Sequence, residues 1–355
     1  MARKRIAIFG WSSSVHVQRW TSGMLARDFD IKVVSLGGDP LPDAESVIIE
    51  RRGRLSYLTQ AGRAAKEALK FKPDLVHAHY AVGFGYWAMR TAFRPSLLSV
   101  WGADVIDFPS NPFKRFLIRK VLRSADHLTA TSQLLKDTVV KLLPGSDSKV
   151  TVIPFGVNIP DTVATFPDSP PVRLCFIKVH YKKYGPDILL KAMAAVVKEI
   201  PDIKLSIAGY GEMTEILKQM TRDLQLENNV EFVGFIDNRE IYPFIQKHHI
   251  MVMPSVLDSE SFGVAVIEAG ACRRPVIASR VGGVPEVMRD GETGLLLPPG
   301  DVDALAAAII RLATDRELAV TMGERGFESA KENYDWEKSL DMMAETYHRL
   351  IHEKK

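Results

Sequence analysis

"IMVMPSVLDSESFGVAVIEAGACRRPVIAS", residues 250–279, reads as strand, turn, helix, strand. "IMVMPS" and "PVIAS" are short apolar runs of the kind buried on both faces of a sheet, and the helix between them starts near Phe262 or Gly263. Strands joined through a helix over so short a span run parallel. Glu260 falls just before that helix and Glu268 roughly two turns inside it, broadly on the same side, with seven uncharged residues between them. A carboxylate amid apolar neighbours is costly to bury unless something hydrogen-bonds it. Two readings follow: a buried helix with one awkward residue, or a carboxylate pair presented to hydroxyl groups. Gly263 permits close backbone approach, and the free amides of a helix N-terminus suit an anion. A ligand with phosphates there could offer hydroxyls to both carboxylates, which is the layout of a nucleotide sugar.

The same rhythm runs along the whole chain. Strands are expected at 4–10, 31–36, 74–79, 96–102, 127–132 and 149–154, with helical stretches such as "YLTQAGRAAKEALKF" (57–71) between them. A second series follows at 172–178, 203–209, 230–235, 250–255, 275–279 and 294–298. The joint "NIPDTVATFPDSPP" (158–171) holds four prolines and little periodicity, as a linker would. The expectation is an α/β protein of two doubly wound, Rossmann-like parallel-sheet domains facing one another across a cleft, divided as 1–165 and 166–335. The long amphipathic helix at about 336–355 has no strand after it and is expected to pack back on the first domain. In such sheets ligands gather beyond the carboxyl ends of the strands.

Bulk properties narrow the class. At 355 residues, 46% apolar and 25% charged, the chain has the composition of an ordinary globular protein of about two domains. No run approaches the roughly 18 apolar residues of a membrane-spanning helix. The start, "MARKRIAIFGW", stops being apolar at Gly10 and reads as a first strand rather than a signal peptide. Two cysteines among apolar neighbours make no disulfide framework, so a reducing, cytoplasmic setting is expected. The net charge of +3 hides an asymmetry: residues 1–165 carry 23 Lys or Arg against 14 Asp or Glu, and the remainder carries −6. A basic first half suits an acidic partner or surface, or simply reflects differing solvated faces. "FKRFLIRKVLR" (113–123) has five basic residues and no acid. It reads either as a helix with a basic outer face or as one that docks on anionic lipid head groups at the inner face of a membrane.

"ESFGVAVIEAGACRRPVIASRVGGVPEVMRDGETGLLLPPGD" resembles the signature of glycosyltransferase family four, the retaining nucleotide-sugar transferases of the GT-B fold. "DLVHAHYAVGFGYWA", "SVWGADVIDFP", "ADHLTATSQLLKDTV", "KVTVIPFGVN", "LSIAGYGEM", "NNVEFVGFIDNREIYPFIQKHHIMVMPS" and "NYDWEKS" all stand in that family's order, so the resemblance spans nearly the whole chain. It implies that Glu260 holds hydroxyls of the donor sugar and that Glu268 binds the ribose. The structural alternative is a loop charge and a capped helix residue. It further implies that backbone groups of Ser261, Phe262, Gly263 and Val264 meet the sugar and diphosphate, and that Gly209, Gly211, Phe235 and Ile236 border the nucleobase. Turns explain those two glycines nearly as well.

The chain departs from the family where cations are wanted. "FIKVHYKKYGPDILLKA" puts Val179 in place of the expected arginine and Tyr184 in place of the lysine. Lys178 and Lys183, with Lys182 as a further candidate, are expected to neutralise the diphosphate from shifted positions, Lys183 in a catalytic role. A diphosphate needs them because its charge grows as it leaves. For the acceptor side, Gly10, Trp11, Ser12, His16 and Arg19 lie on or after the first strand–helix turn, and Trp101 and Asp104 lie in "VWGADV". Trp101 stands where the family often has a histidine near the reacting sugar, and His79 is the candidate to supply that polar group. A histidine at a strand end is otherwise often structural.

No metal or other cofactor is implied: "DFD" (28–30) and "DVD" (301–303) imitate a metal motif but read as structural, the second at a helix start. The expected partners are a nucleotide-sugar donor and a saccharide or lipid-linked acceptor, with no nucleic acid. A nucleotide-sugar epimerase and a non-catalytic sugar-nucleotide-binding protein are the rival readings.

Overall fold

The computed structural model describes residues 3–353 except 54, 169 and 259. The chain divides into two compact units, Met1–Pro154 with Glu337–Lys355, and Phe155–Trp336.

The first unit is built on a seven-stranded sheet: β1 (Lys4–Phe9), β2 (Phe29–Leu36), β3 (Glu45–Ile49), β4 (Leu75–His79), β5 (Ser96–Val100), β6 (His127–Ala130) and β7 (Val150–Val152). Its order is β3-β2-β1-β4-β5-β6-β7, all parallel. Strands β4, β5 and β6 are buried throughout, as an all-parallel sheet covered on both faces requires. Strand β3 was not among the expected strands. It is a half-exposed edge strand held in register by β2, with Lys32 paired to Glu45 at 2.7 Å.

The second unit carries β8 (Arg173–Ile177), β9 (Lys204–Ala208), β10 (Val230–Gly234), β11 (Ile250–Met253), β12 (Val276–Ser279) and β13 (Gly294–Leu297), ordered β10-β9-β8-β11-β12-β13 and again parallel. Each sheet has one point where the strand order reverses, between β1 and β4 and between β8 and β11. A crevice opens at the carboxyl ends of the strands at such a point. There Gly10 follows β1 and His79 ends β4 in the first unit, and Lys178 and Glu260 follow β8 and β11 in the second.

The division falls at Pro154/Phe155, ahead of the expected 165/166, because residues 155–165 are tied to the second unit. Val157 bridges to Asp335, and the Ala164 amide donates to Gln246. The buried Arg274 guanidinium donates to the carbonyls of Ala164, Thr165 and Gln246. The helix Trp336–Glu353 belongs to the first unit from Glu337 onward; of the expected span, Lys354 and Lys355 lie outside the described residues. Arg27 holds it through Glu337 and Asp341, and the Tyr347 hydroxyl bonds the buried His77 ring at 2.6 Å.

Candidate functional site

In the second unit, strand β8 ends at Ile177 and the chain passes directly to Lys178. The Lys178 amide donates to the Ala208 carbonyl, and its ammonium donates to Glu260 Oε2 at 2.9 Å. The two side chains are 20% and 10% exposed, enclosed enough to hold the pair and open enough for a ligand to reach it. Tyr184 stands between two cations: the Lys178 ammonium lies 4.9 Å and the Lys183 ammonium 4.8 Å from its ring centroid. Cations are attracted to such a ring face. The lysines singled out in place of the missing arginine are therefore neighbours around one aromatic ring, while Val179 points its side chain toward solvent. Lys182 is exposed.

Glu260 is fixed from below. The Gly283 amide donates to the Glu260 carbonyl at 2.9 Å, and the Gly282 amide reaches Asp258 Oδ1 at 3.2 Å. A Cβ on Gly282 would sit 2.0 Å from the Glu260 carbonyl oxygen, and one on Gly283 would sit 2.3 Å from that of Ser261. Only glycine lets these backbones approach so closely. Phe262 is buried edge-on to Phe155 and Tyr334 and anchors the loop's far end. Gly263, at φ +86°, turns the chain into the helix Val264–Ala271. The first amides of that helix have no intrahelical acceptor.

Six of that helix's eight residues are buried, and Val264 and Glu268 are the half-buried pair one turn apart on its remaining stripe. Glu268 is the fifth helical residue, so it lies just over one turn inside rather than two. Its place on the open stripe resolves the puzzle of a carboxylate in an apolar run.

Gly209 and Gly211 have a structural duty. A Cβ on them would meet the Lys178 carbonyl oxygen at 2.1 Å and that of His180 at 2.5 Å, so both seat the loop that carries Lys178. Phe235 is well exposed at the carboxyl end of β10, with Ile236 half-buried beside it.

In the first unit, His16, His79 and Trp101 come together: the Trp101 ring lies 5.7 Å from His16 and 5.1 Å from His79. Arg19 follows one turn after His16 and is half-buried. His79 is only 1% exposed and neither ring nitrogen has a hydrogen-bond partner. Burial, with His16 adding to it, lowers its pKa to about 3, and burial with nearby Arg19 lowers that of His16 to about 4. Both rings are neutral at neutral pH. His79 is thus a neutral imidazole packed against the Trp101 ring, with both ring nitrogens unpartnered.

Two other expected acceptor contacts prove to be internal. The Asp104 carboxylate is fully buried and accepts the amides of Ala81, Trp101 and Gly102, tying two loops together. Ser12 is buried, its amide bonded to the Ser35 hydroxyl and its own hydroxyl directed at the Gly37 carbonyl. Gly10 is required for packing, since a Cβ there would lie 2.9 Å from a Val17 methyl. Trp11 is exposed and belongs to a separate aromatic group, with rings of Phe84 at 5.5 Å and Tyr80 at 5.9 Å.

Among the described residues no three His, Cys, Asp or Glu side chains gather as a metal site. Asp301 caps the helix Val302–Thr314 by accepting the Ala304 amide, and Asp28 pairs with Arg3.

Comparison with known proteins agrees with this geometry. The model of "Glycosyl transferase 4-like" proteins matches residues 5–132, and that of "Glycosyl transferases group 1" matches residues 163–329. A GDP-mannose-dependent alpha-(1-6)-phosphatidylinositol monomannoside mannosyltransferase of Mycolicibacterium smegmatis is 30% identical over 278 residues, 74% of this chain and 72% of the relative. The chain belongs to glycosyltransferase family four. The N-acetyl-alpha-D-glucosaminyl L-malate synthase of Bacillus anthracis is 29% identical over 314 residues, 84% of this transferase and 80% of the relative. Among solved structures, sucrose-phosphate synthase from Thermosynechococcus elongatus superposes with a TM-score of 0.85 at 23% identity, covering 99% and 100% of the two chains. Anabaena HepE in complex with UDP-glucose gives 0.82 at 19%, covering 98% and 100%. These place the transferase in the GT-B fold.

Two elements of the transferase's sites escaped the sequence reading. The Gly282–Gly283 pair stood inside the quoted signature, but its task under Glu260 depends on chain segments more than twenty residues apart. Tyr80, directly after His79, takes a φ of +80° that a non-glycine residue rarely adopts. Its ring is set beside Trp11, and burial pushes its pKa up to about 12.

Proposed function

We propose that the transferase moves a hexose, with net retention at the anomeric carbon, from a nucleotide diphosphate sugar to a hydroxyl of a saccharide or lipid-linked saccharide. Synthesis of a cell-envelope glycan or exopolysaccharide at the cytoplasmic side is the setting this reading favours. The observation that carries it is the Lys178–Glu260 pair, seated at the switch point of the second sheet and held by glycine-only backbone contacts. Glu260 holds donor-sugar hydroxyls, and Glu268 takes the ribose. The amides at Gly263 and Val264, with the ammoniums of Lys178 and Lys183, hold the diphosphate, and Phe235 and Ile236 border the base.

As the C1–O bond to the diphosphate breaks, these fixed donors stabilise the charge that develops on the leaving group. The acceptor oxygen bonds C1 on the same face, and its proton passes to the departing phosphate oxygen. In this reading cationic side chains and a helix end do the neutralising, and no metal takes part. Trp101 borders the acceptor with His16 and Arg19, and His79 supports it from beneath. Support for the donor class comes from relatives named for GDP-mannose use and from a structural neighbour bound to UDP-glucose.

The test is release of nucleoside diphosphate from UDP-, GDP- and ADP-sugars with an acceptor extract, with and without a chelator. Glu260→Ala is expected to lose at least a hundredfold in turnover while melting near the wild type, and chelation is expected to change nothing. Wild-type turnover by a folded Glu260→Ala protein would refute the assignment. With donor alone, a changed sugar configuration would identify an epimerase instead.

A further inference from the structure

The basic stretch singled out in the sequence forms the helix Pro112–Ser124, about 20 Å long at the usual rise per residue. Asn111 caps it by accepting the Lys114 amide, and Pro112 sits at its first turn. Ile118, Val121 and Leu122 are buried in the core of the first unit. Val121 packs closely on Gly85, where an added Cβ would lie 2.7 Å from its methyl. With these three residues in the core, the opposite side of the helix faces outward.

What it turns outward is unusual. At about 100° per residue, the direction opposite the buried arc is held by Phe116, flanked by Lys120 and Arg123, with Phe113 next. Phe113 is 70% exposed, Phe116 64% and Leu117 37%. Phe113 and Phe116, three residues apart and therefore neighbours on one helix face, make an exposed apolar patch of the kind that marks an interaction site.

The cations around them are equally uncompensated. Lys114 donates to the Ser110 hydroxyl and Arg119 to the Leu142 carbonyl, while Arg115, Lys120 and Arg123 are exposed. None of the five enters an ion pair among the described residues.

We infer that this helix is a docking surface for an anionic lipid bilayer, with Phe113, Phe116 and Leu117 entering the head-group boundary and Arg115, Lys120 and Arg123 meeting lipid phosphates. Charge complementarity selects the occupant: a patch with five cations and no carboxylate attracts an anionic surface, and its rings need a boundary that is apolar a few ångströms below the charge. A second copy of the chain would set these cations against the same cations. The inference does not depend on the identity of the donor or acceptor.

The test is co-sedimentation of the full chain with vesicles of phosphatidylcholine alone or mixed with phosphatidylglycerol, at low and high salt. Binding to the anionic vesicles is expected, weakened by salt and largely absent with the neutral ones. Phe113→Ser with Phe116→Ser is expected to lower vesicle affinity about tenfold or more while leaving the melting temperature and nucleotide-sugar binding unchanged. Lys120→Gln and Arg123→Gln are each expected to cost about fivefold, the effect of about 1 kcal/mol per surface cation. Equal binding to both vesicle types, or a double Phe variant that binds like the wild type, would overturn the inference. So would self-association that the double variant abolishes in a protein that ignores vesicles.

Discussion

Replacing Gly282 by alanine isolates the backbone geometry that fixes Glu260. The new Cβ would lie 2.0 Å from the Glu260 carbonyl oxygen, where real Cβ atoms do not come within 3.0 Å, so the loop must retreat by about 1 Å. Gly282 also has a φ of +52°, which costs an L side chain about 1–2 kcal/mol. Two other glycines separate these effects. Gly283, at φ −85°, carries the clash without the strain, its Cβ falling 2.3 Å from the Ser261 carbonyl oxygen. Gly291, at φ +75°, carries the strain without the clash, with open space around its Cβ.

A misplacement of about 1 Å at a reacting centre lowers turnover about a hundredfold. Gly282→Ala and Gly283→Ala should therefore lose one to two orders of magnitude in kcat/KM. Gly291→Ala should keep full turnover and lose about 2–8 °C in Tm. Gly282→Ala should fall in both respects. Initial rates of nucleoside diphosphate release and thermal melts of the three proteins decide the matter. If Gly283→Ala turned over like the wild type, or Gly291→Ala lost as much activity as Gly282→Ala, the geometric argument would fail.

Stability should depend on the buried histidines of the first unit. His79 is lowered to about 3 in the folded chain, so below about pH 6.5 the unfolded chain takes up a proton that the folded chain refuses. Its contribution to stability is lost as pH falls from 6.5, by about 1.4 kcal/mol per pH unit, or about 2 kcal/mol by pH 5. Neighbouring His16 and His77, also lowered by burial, act in the same sense. Urea unfolding at pH 7 and pH 5 should show a smaller difference for His79→Asn than for the wild type; equal differences would contradict the assignment. Tyr347→Phe removes the partner of the buried His77 Nδ1, leaving it unsatisfied at about 1–3 kcal/mol. A clear drop in Tm with unchanged turnover is expected, and an unshifted Tm would show that the bond contributes nothing.

Much of this architecture was readable from apolar periodicity alone, because parallel strands buried on both faces write themselves as short β-branched runs. Strand β3 was not, since "ESVII" is a half-exposed edge reached through "GGDPLPDA" without a crossover helix, and its place comes from pairing with β2. Residue types at the site were visible, but their partners were not. Lys178 and Glu260 are 82 residues apart and meet because β8 and β11 are adjacent at the switch point. Asp104 looked like a ligand contact because sequence shows a carboxylate without showing the three amides turned toward it. Lys178 and Lys183 were singled out because a diphosphate would have to be neutralised, and the structure brings both to the Tyr184 ring. Their joint contact with that ring depends on the turn at 182–184 and had no sequence signature.

The central claim assigns Glu260 to the sugar and Lys178 to the diphosphate, and calorimetric titration separates the two. With the preferred nucleotide sugar and its nucleoside diphosphate as titrants, Glu260→Gln should bind the sugar nucleotide at least tenfold more weakly while keeping the wild-type affinity for the diphosphate. Lys178→Met should weaken both. Equal loss for both ligands in Glu260→Gln, or no loss for either, would contradict the account.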